Sequence, residues 1–345
     1  MEKKQYELEF CNNAFDFFRI FSAVMIIIGH CVLHLKIEIP YIGNLFLGSW
    51  IGLVCLFTLT GYLVPASLER SKSNYEFLKK RALRLYPGLW LAFLISFLCV
   101  MFIGGAYGLK YNLTDILSWG FAQLTIFQFY TPESISMYGV GNPNGALWTI
   151  SMEIQIYIVI MLIWKWLKKQ TTFIWLSLIA IFAVINITFP LLEGVVPSIV
   201  FKLLNVTFIP YMYIFLIGMF CFAKRNRLIP FVVRHFWIIL ATYIAWFFAN
   251  SLVIQLELGH YTNIITGVLT CFLTISGGYK AGRHHRIKNE ISYGLYIYHM
   301  IIINAFVMFG LVKKTYYIAV VLLLTWVVAL LSNILVEKPI IKRFK

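Results

Sequence analysis

Three ionisable side chains interrupt the apolar run FDFFRIFSAVMIIIGH (15–30): Asp16, Arg19 and His30. Charge inside a bilayer is expensive, and an Arg at the centre of a membrane helix costs ~2.5–3.5 kcal/mol on insertion scales. Eleven residues of helix turn ~1,100° and rise ~16.5 Å, so Arg19 and His30 project from nearly one face at two depths. Asp16, three residues before Arg19, can pair with it. Histidine, with an unperturbed pKa of ~6.5, is the residue type suited to taking and returning a proton near neutrality. A plainer reading also fits: an arginine that anchors the helix at the cytoplasmic face, and an incidental histidine near its outer end.

Three further stretches have the same character. In NGALWTISMEIQIY (144–157), Glu153 falls within a membrane-type run, followed by Gln155 and by Tyr157 on its own face at i+4. A buried carboxylate needs a cation or hydrogen-bond donors, or it binds a proton. A structural interhelical bond would satisfy it as well as a catalytic role. Trp148 sits at the expected outer boundary, where indoles commonly anchor. In KKRALRLYPGLW (79–90), Lys79, Lys80, Arg81 and Arg84 crowd together, and Arg81 and Arg84 share a face at i, i+3. Guanidinium groups bind phosphates bidentately, although ordinary charge at the cytoplasmic end of a span explains these four equally. Pro87 suits a helix start or a break. In ISYGLYIYHM (291–300), Tyr293, Tyr296 and His299 recur every three residues. They form a polar edge whose hydroxyls need partners once buried, and a satisfied structural network would supply them.

The elements that carry these residues follow from composition. The 345 residues are 61% hydrophobic and 12% charged, with a mean hydropathy of +0.81. A soluble domain has ~45–50% apolar and ~25% charged residues. The expectation is therefore all-α: a polytopic membrane helical bundle forming a single integral membrane domain over 1–345. Runs of ~20 apolar residues are needed to cross a ~30 Å hydrocarbon layer. Ten lie near 17–35, 47–66, 85–105, 146–164, 173–192, 206–223, 236–254, 262–279, 292–311 and 316–336.

With the N-terminus inside, segments 1–16, 67–84, 165–172, 224–235, 280–291 and 337–345 are cytoplasmic and hold 23 of the 29 Lys and Arg. Five lie outside (Lys36, Lys110, Lys202, Lys313 and Lys314), and Arg19 is within the first span. That asymmetry predicts an N-in, C-in topology. It also reads the formal net charge of +15 as a lining of the anionic inner leaflet, not a nucleic-acid surface. The first run has no small-x-small site and reads as a retained span, not a cleaved signal peptide. The six scattered cysteines form no C-x-x-C pair, and His284 and His285 have no Cys or carboxylate at metal spacing. Neither a disulfide framework nor a metal site is expected. The long outer loop 106–145 contains the apolar ILSWGFAQLTIFQFY (116–130), which either lies flat at the surface or re-enters the membrane.

Taken together, six blocks resemble the acyltransferase type 3 family of integral membrane acyltransferases and follow its order along nearly the whole chain. D-x-x-R with R-x(10)-H is Asp16, Arg19 and His30. A block similar to F-x-x-S-G-F/Y-L is FTLTGYLV (57–64), with Thr60 where the family usually has Ser. R-x-x-R-L-Y-P is Arg81, Arg84, Tyr86 and Pro87. L-W-S/T-x-x-x-E-x-x-x-Y is Leu147, Trp148, Thr149, Glu153 and Tyr157. S-Y-x-x-Y-x-x-H is Ser292, Tyr293, Tyr296 and His299, and E-K-P is Glu337, Lys338 and Pro339. The chain stops soon after this last block, and so resembles the stand-alone members without a C-terminal soluble hydrolase-like domain.

The resemblance implies a multi-pass enzyme of the bacterial cytoplasmic (inner) membrane. It would transfer an acyl group, most often acetyl from acetyl-CoA, to a hydroxyl of a cell-surface glycan such as an O-antigen, capsule or exopolysaccharide repeat. The donor is cytoplasmic, the acceptor is lipid-linked and external, and no cofactor is permanently bound. His30, Glu153 and Arg19 are the implied catalytic residues. Arg81, Arg84, Lys80 and Arg19, with Lys79 beside them, are the implied donor site. Asp16, Trp148, Tyr157, Ser292, Tyr293 and His299 support these or meet the acceptor. His30 would accept the proton of the attacking hydroxyl or form a covalent acyl-His intermediate. Arg19, ~16.5 Å away along the axis, suits donor binding or fixing Asp16. Glu153 would orient His30 or bind the acceptor, and Trp148 would stack on a sugar ring. Expected partners are acyl-CoA, the lipid-linked glycan and membrane lipids, with no nucleic acid.

The main rival is a transporter or flippase for a glycan or small molecule, because intramembrane ionisable residues also mark transport paths. Internal repeats and paired broken helices would favour it, and neither pattern is clear. A structural or assembly subunit is a second rival. A third is a membrane acyltransferase built on a buried Asn and His, whose W-H-G-type context is absent.

Overall fold

The computed structural model of the chain describes residues 12–41, 43, 47, 50–282 and 291–344. His284, His285, Cys11 and the charges expected at 283–290 and before residue 12 lie outside the described residues. In chain order the helices are α1 (Phe15–His34), α2 (Ile51–Glu69), α3 (Asn74–Cys99), α4 (Leu113–Leu124), α5 (Glu133–Ser136), α6 (Trp148–Leu167), α7 (Thr172–Thr188) and α8 (Ser198–Asn205). They continue with α9 (Met212–Ala223), α10 (Arg225–Arg234), α11 (Phe236–Ala249), α12 (Ile264–Ala281), α13 (Ser292–Met308), α14 (Tyr316–Ser332) and α15 (Lys338–Phe344). Wider π turns prolong α3 through Val100–Gly104 and join α14 to α15 through Asn333–Glu337. No strand occurs among the described residues.

Among the described residues, eight helices are long and apolar enough to cross a membrane, and a ninth span is made if α8 and Ile209–Ala223, bent by 49°, count as one. The tenth expected span is α13, whose 17 residues rise ~25 Å, the lower limit for a crossing. Every expected span therefore has its helix, and the chain is a polytopic membrane protein.

Several boundaries differ from expectation. The third span does not start near 85: α3 begins at Asn74, so much of the segment expected as a cytoplasmic loop is helical. Ser73 caps it by accepting from the Glu76 amide at 3.1 Å, while the Glu76 carboxylate accepts from the Lys72 amide at 2.6 Å. Ser-x-x-Glu is a recognisable helix-start signal. Pro87 neither starts nor breaks this helix but lies inside it. The sixth span is bent where Pro210 enters the turn Ile209–Tyr211. Segment 224–235, expected as a loop, contains α10. The segment 106–145, expected as an outer loop, holds α4 and α5. At 12 residues, α4 rises only ~18 Å, too little to cross. Its Leu113, Leu117, Phe121 and Leu124 form one exposed stripe, while Trp119 is buried on the other side with Val100, Ile135 and Tyr138.

The helices group into two compact units. The first comprises Met1–Ser22, Asn44–Ser71 and Ile158–Glu290. Its centre is α9, apolar all round and buried from Met212 to Phe222, as such a helix must be. It meets α2 backbone to backbone, because Gly61 and Gly218 leave no side chain between them. Hydroxyls bridge α2 to α12: Tyr62 to Tyr279 at 2.7 Å, and Thr58 to Cys271 Sγ at 3.1 Å. In the last turn of α7, Asn186 donates to Pro210 O (2.8 Å) and accepts from the His260 amide (3.0 Å), while His260 Nε2 meets Asn205 Oδ1 at 2.6 Å.

The second unit comprises Ala23–Gly43, Lys72–Tyr157 and Ile291–Lys345. Its centre is α13, buried along most of its length. Unlike α9 it carries Tyr293, Tyr296, Tyr298, His299 and Asn304. Buried polar groups must find partners, so α13 dictates what its neighbours present. Gly294 allows α14 to approach, since a Cβ there would lie 2.8 Å from that of Ala329. Asn304 clamps the loop before α6: its amide nitrogen donates to Asn142 O (3.0 Å) and Pro143 O (3.1 Å), and its Oδ1 accepts from the Val140 amide (2.8 Å). Asn144 Nδ2 reaches back to Ile297 O at 2.9 Å.

Candidate functional site

The second unit holds two polar stations along α13. At the first, His299 is fully buried and its Nε2 lies 2.7 Å from Nδ1 of the half-buried His30 on α1. The two rings are nearly parallel, with an interplanar angle of 9° and centroids 5.0 Å apart. His299 Nδ1 donates to the Tyr296 carbonyl, one turn back, at 2.7 Å. The Tyr296 hydroxyl meets Thr149 Oγ1 at 2.7 Å and Ala146 O at 3.0 Å, which ties the start of α6 to this turn of α13. His34, one turn beyond His30, has its ring tilted by 39° to that of His30, with centroids 5.6 Å apart.

The second station lies at the other end of the same face of contacts. Six residues of α13, ~9 Å of rise, separate His299 from Tyr293. Arg81 of α3 hydrogen-bonds the Tyr157 hydroxyl, with its guanidinium carbon 5.7 Å from that ring's centroid. Tyr157 in turn donates to the Glu153 carboxylate. Arg84 lies within electrostatic reach of both Arg81 and Tyr157. Tyr293 donates to Leu85 O at 2.7 Å, in a region of α3 where Gly88 keeps space open: a Cβ there would stand 2.9 Å from Tyr293 Cε1 and 3.3 Å from Glu337 Cδ. Glu337 is buried and accepts from Ser332 at 2.7 Å, and Ser332 is met by the Tyr298 hydroxyl at 2.8 Å. Two arginines thus stand among two carboxylates and three phenols, an arrangement that satisfies buried charge with charge-assisted hydrogen bonds.

The other expected residues sit as follows. Arg19 forms an ion pair with Asp16 at 3.3 Å, in the first unit, on an α1 that runs uninterrupted from Phe15 to His34. Lys80 is engaged by Glu76 at 2.7 Å, one turn back on α3, and Lys79 is exposed. Trp148 is half-buried at the first turn of α6, and Ser292 is buried at the first position of α13. The partner that holds His30 is thus His299, while Glu153 is held by Tyr157 at the arginine station. Among the described residues, no three His, Cys, Asp or Glu side chains converge to hold one metal ion. Tyr298, Ser332, Asn144 and Asn304 were not singled out by sequence. Of these, Asn304 had a usable signal, as an amide in the interior of an apolar run.

Comparison with known proteins agrees on one family. The sequence model of the acyltransferase domain of the type 3 family matches residues 12–337. Nodulation protein 10 of Rhizobium leguminosarum bv. viciae is 26% identical over 361 aligned residues, spanning 96% of this chain and 93% of that protein. An O-acetyl transferase of Shigella phage Sf6 is 26% identical over 168 residues, 49% of this chain and 50% of its own length. No solved structure matches.

Proposed function

The chain belongs to the acyltransferase type 3 family, and from that premise we propose that it transfers acetyl from acetyl-CoA to a hydroxyl of a lipid-linked surface glycan across a bacterial cytoplasmic membrane. The single observation that carries this reading is the contact of His30 with His299. It is an intramembrane histidine braced on one nitrogen and only half-buried, as a proton acceptor for a bound hydroxyl should be. The O-acetyl activity named for the phage relative supports the acetyl group. In the N-in, C-in topology, Arg81 and Arg84 face the cytoplasm and take the CoA phosphates, while Tyr157 and Glu153 hold Arg81 in place. The thioester reaches His30, and the acceptor hydroxyl attacks its carbonyl carbon while His30 takes the proton. The tetrahedral intermediate then expels the CoA thiolate, which recovers that proton. Trp148, at the outer end of α6, offers a ring face to the sugar.

Mass analysis of surface glycans from cells with and without the gene tests this reading. A gain of one acetyl group per repeat, dependent on the gene, is expected. Identical glycans in both strains would refute it.

A further inference from the structure

Resting on the reading of His30 as the proton acceptor, we infer that His299 is a positioning residue that selects Nε2 of His30 as the reacting atom. The chain of donors leaves little freedom. The Tyr296 carbonyl can only accept, so the His299 Nδ1 that lies 2.7 Å from it carries a proton. In a neutral ring the opposite nitrogen, Nε2, is then an acceptor. That Nε2 is 2.7 Å from Nδ1 of His30, so His30 Nδ1 must be the donor. A neutral His30 therefore bears its lone pair on Nε2. The network fixes these hydrogen positions, and its fixed end is main chain.

The scaffold holds this arrangement tightly. His299 is fully buried, and the turn that supplies the carbonyl is pinned through the Tyr296 hydroxyl to Thr149 and Ala146. The chemistry balances on one nitrogen. The acceptor's O–C bond forms as its proton moves to His30 Nε2. The C–S bond of the thioester then breaks, and that proton passes to the departing thiolate. Throughout the imidazolium stage, Nδ1–H of His30 remains hydrogen-bonded to the neutral His299, which stabilises the positive charge. This is the role that a carboxylate plays for the histidine of a hydrolytic triad, filled by a second histidine.

The test uses the full-length protein in lipid vesicles, with labelled acetyl-CoA and lipid-linked glycan extracted from the source membranes. Nitrogen-15 solid-state spectra of histidine-labelled protein, with the His30 signals identified by their loss in His30→Ala, read the tautomer directly. Wild type should show a protonated Nδ1 and an unprotonated Nε2. His299→Phe keeps the ring and removes the acceptor, so His30 should then populate the other tautomer. It should also lose kcat by about 10²-fold, within the usual range for general-base catalysis, with KM for acetyl-CoA unchanged. His299→Gln, which retains an acceptor oxygen, should recover part of the rate. A wild-type His30 protonated on Nε2 would overturn the inference and needs no variant to fold. So would a His299→Phe enzyme with wild-type kcat while His30→Ala is inactive. Full activity in His30→Ala would instead overturn the reading on which this one rests.

Discussion

Gly61→Ala offers a sharp test of the packing in the first unit. A Cβ at Gly61 would fall on the carbonyl oxygen of Phe215 and lie 3.0 Å from both the carbonyl carbon and the Cα of that residue. The reciprocal Cβ at Gly218 would fall on Thr58 O, 2.9 Å from the Tyr62 amide nitrogen and 3.0 Å from the Gly61 carbonyl carbon. Carbon atoms pack best at ~3.5–4.0 Å, so α2 and α9 would have to part by roughly 0.5–1 Å. Two effects oppose each other. Alanine gains ~0.8–1.0 kcal/mol of helix propensity over glycine, whereas overpacking costs ~1–3 kcal/mol. The obstructing atoms are backbone on both sides and cannot turn away, so the cost falls at the upper end and a net loss of ~2 kcal/mol is expected from each substitution. The two are coupled: once one Cβ has separated the helices, the second has less to displace. The double variant should therefore lose less than the sum of the singles. Thermal unfolding in detergent, followed by tryptophan fluorescence, measures this. Gly29→Ala is the control, because nothing lies within 4 Å of a Cβ at that position, and it should be neutral or stabilising. Gly61→Ala behaving like Gly29→Ala, or strict additivity with Gly218→Ala, would refute the backbone contact.

Other consequences are open to measurement. Tyr157→Phe removes the hydroxyl shared by Arg81 and Glu153 and should lower stability by ~1.5–3 kcal/mol, the scale of hydrogen bonds to charged groups; an unchanged unfolding midpoint would remove this link from the site. Asn304→Ala leaves the Val140 amide and the carbonyls of Asn142 and Pro143 without their present partner. At ~1–3 kcal/mol for a buried polar group left unsatisfied, the loop before α6 should loosen, seen as faster hydrogen exchange at Val140. Burial pushes His260, in the loop before α12, down to about 4 from its usual 6.5. The fold prefers the neutral ring, so the stability this provides is complete above pH 6.5 and is lost as pH falls toward 4. His260→Asn should flatten the pH dependence of the unfolding temperature across that window, and an unaltered slope would contradict the assignment.

Much of the architecture was legible in the sequence because a bilayer allows few solutions. Apolar runs of about twenty residues located the helices of the ten expected spans, and polar residues in or beside those runs are the ones that meet at the two stations. Local signals are legible in sequence: Asp16 with Arg19, and Glu153 with Tyr157, are pairs at i, i+3 and i, i+4 that helical geometry brings together. The Ser73-x-x-Glu76 cap was equally local and would have placed the start of α3 correctly. What no local pattern reveals is pairing across sequence. His30 and His299 are 269 residues apart, and Arg81 meets Tyr157 only because α3 and α6 come together in the second unit. Without that packing, Glu153 was as good a candidate partner for His30 as His299. Tyr298 and Ser332 carried no signal, since a lone hydroxyl in an apolar run has no distinctive spacing.

The most direct test of the central claim is transfer of labelled acetyl from acetyl-CoA to a lipid-linked glycan by the purified protein in lipid vesicles, wild type against His30→Ala. The account predicts label on the glycan with wild type and a fall of about 10²–10⁴-fold with His30→Ala, while binding of acetyl-CoA persists. Transfer by His30→Ala near the wild-type rate would contradict it.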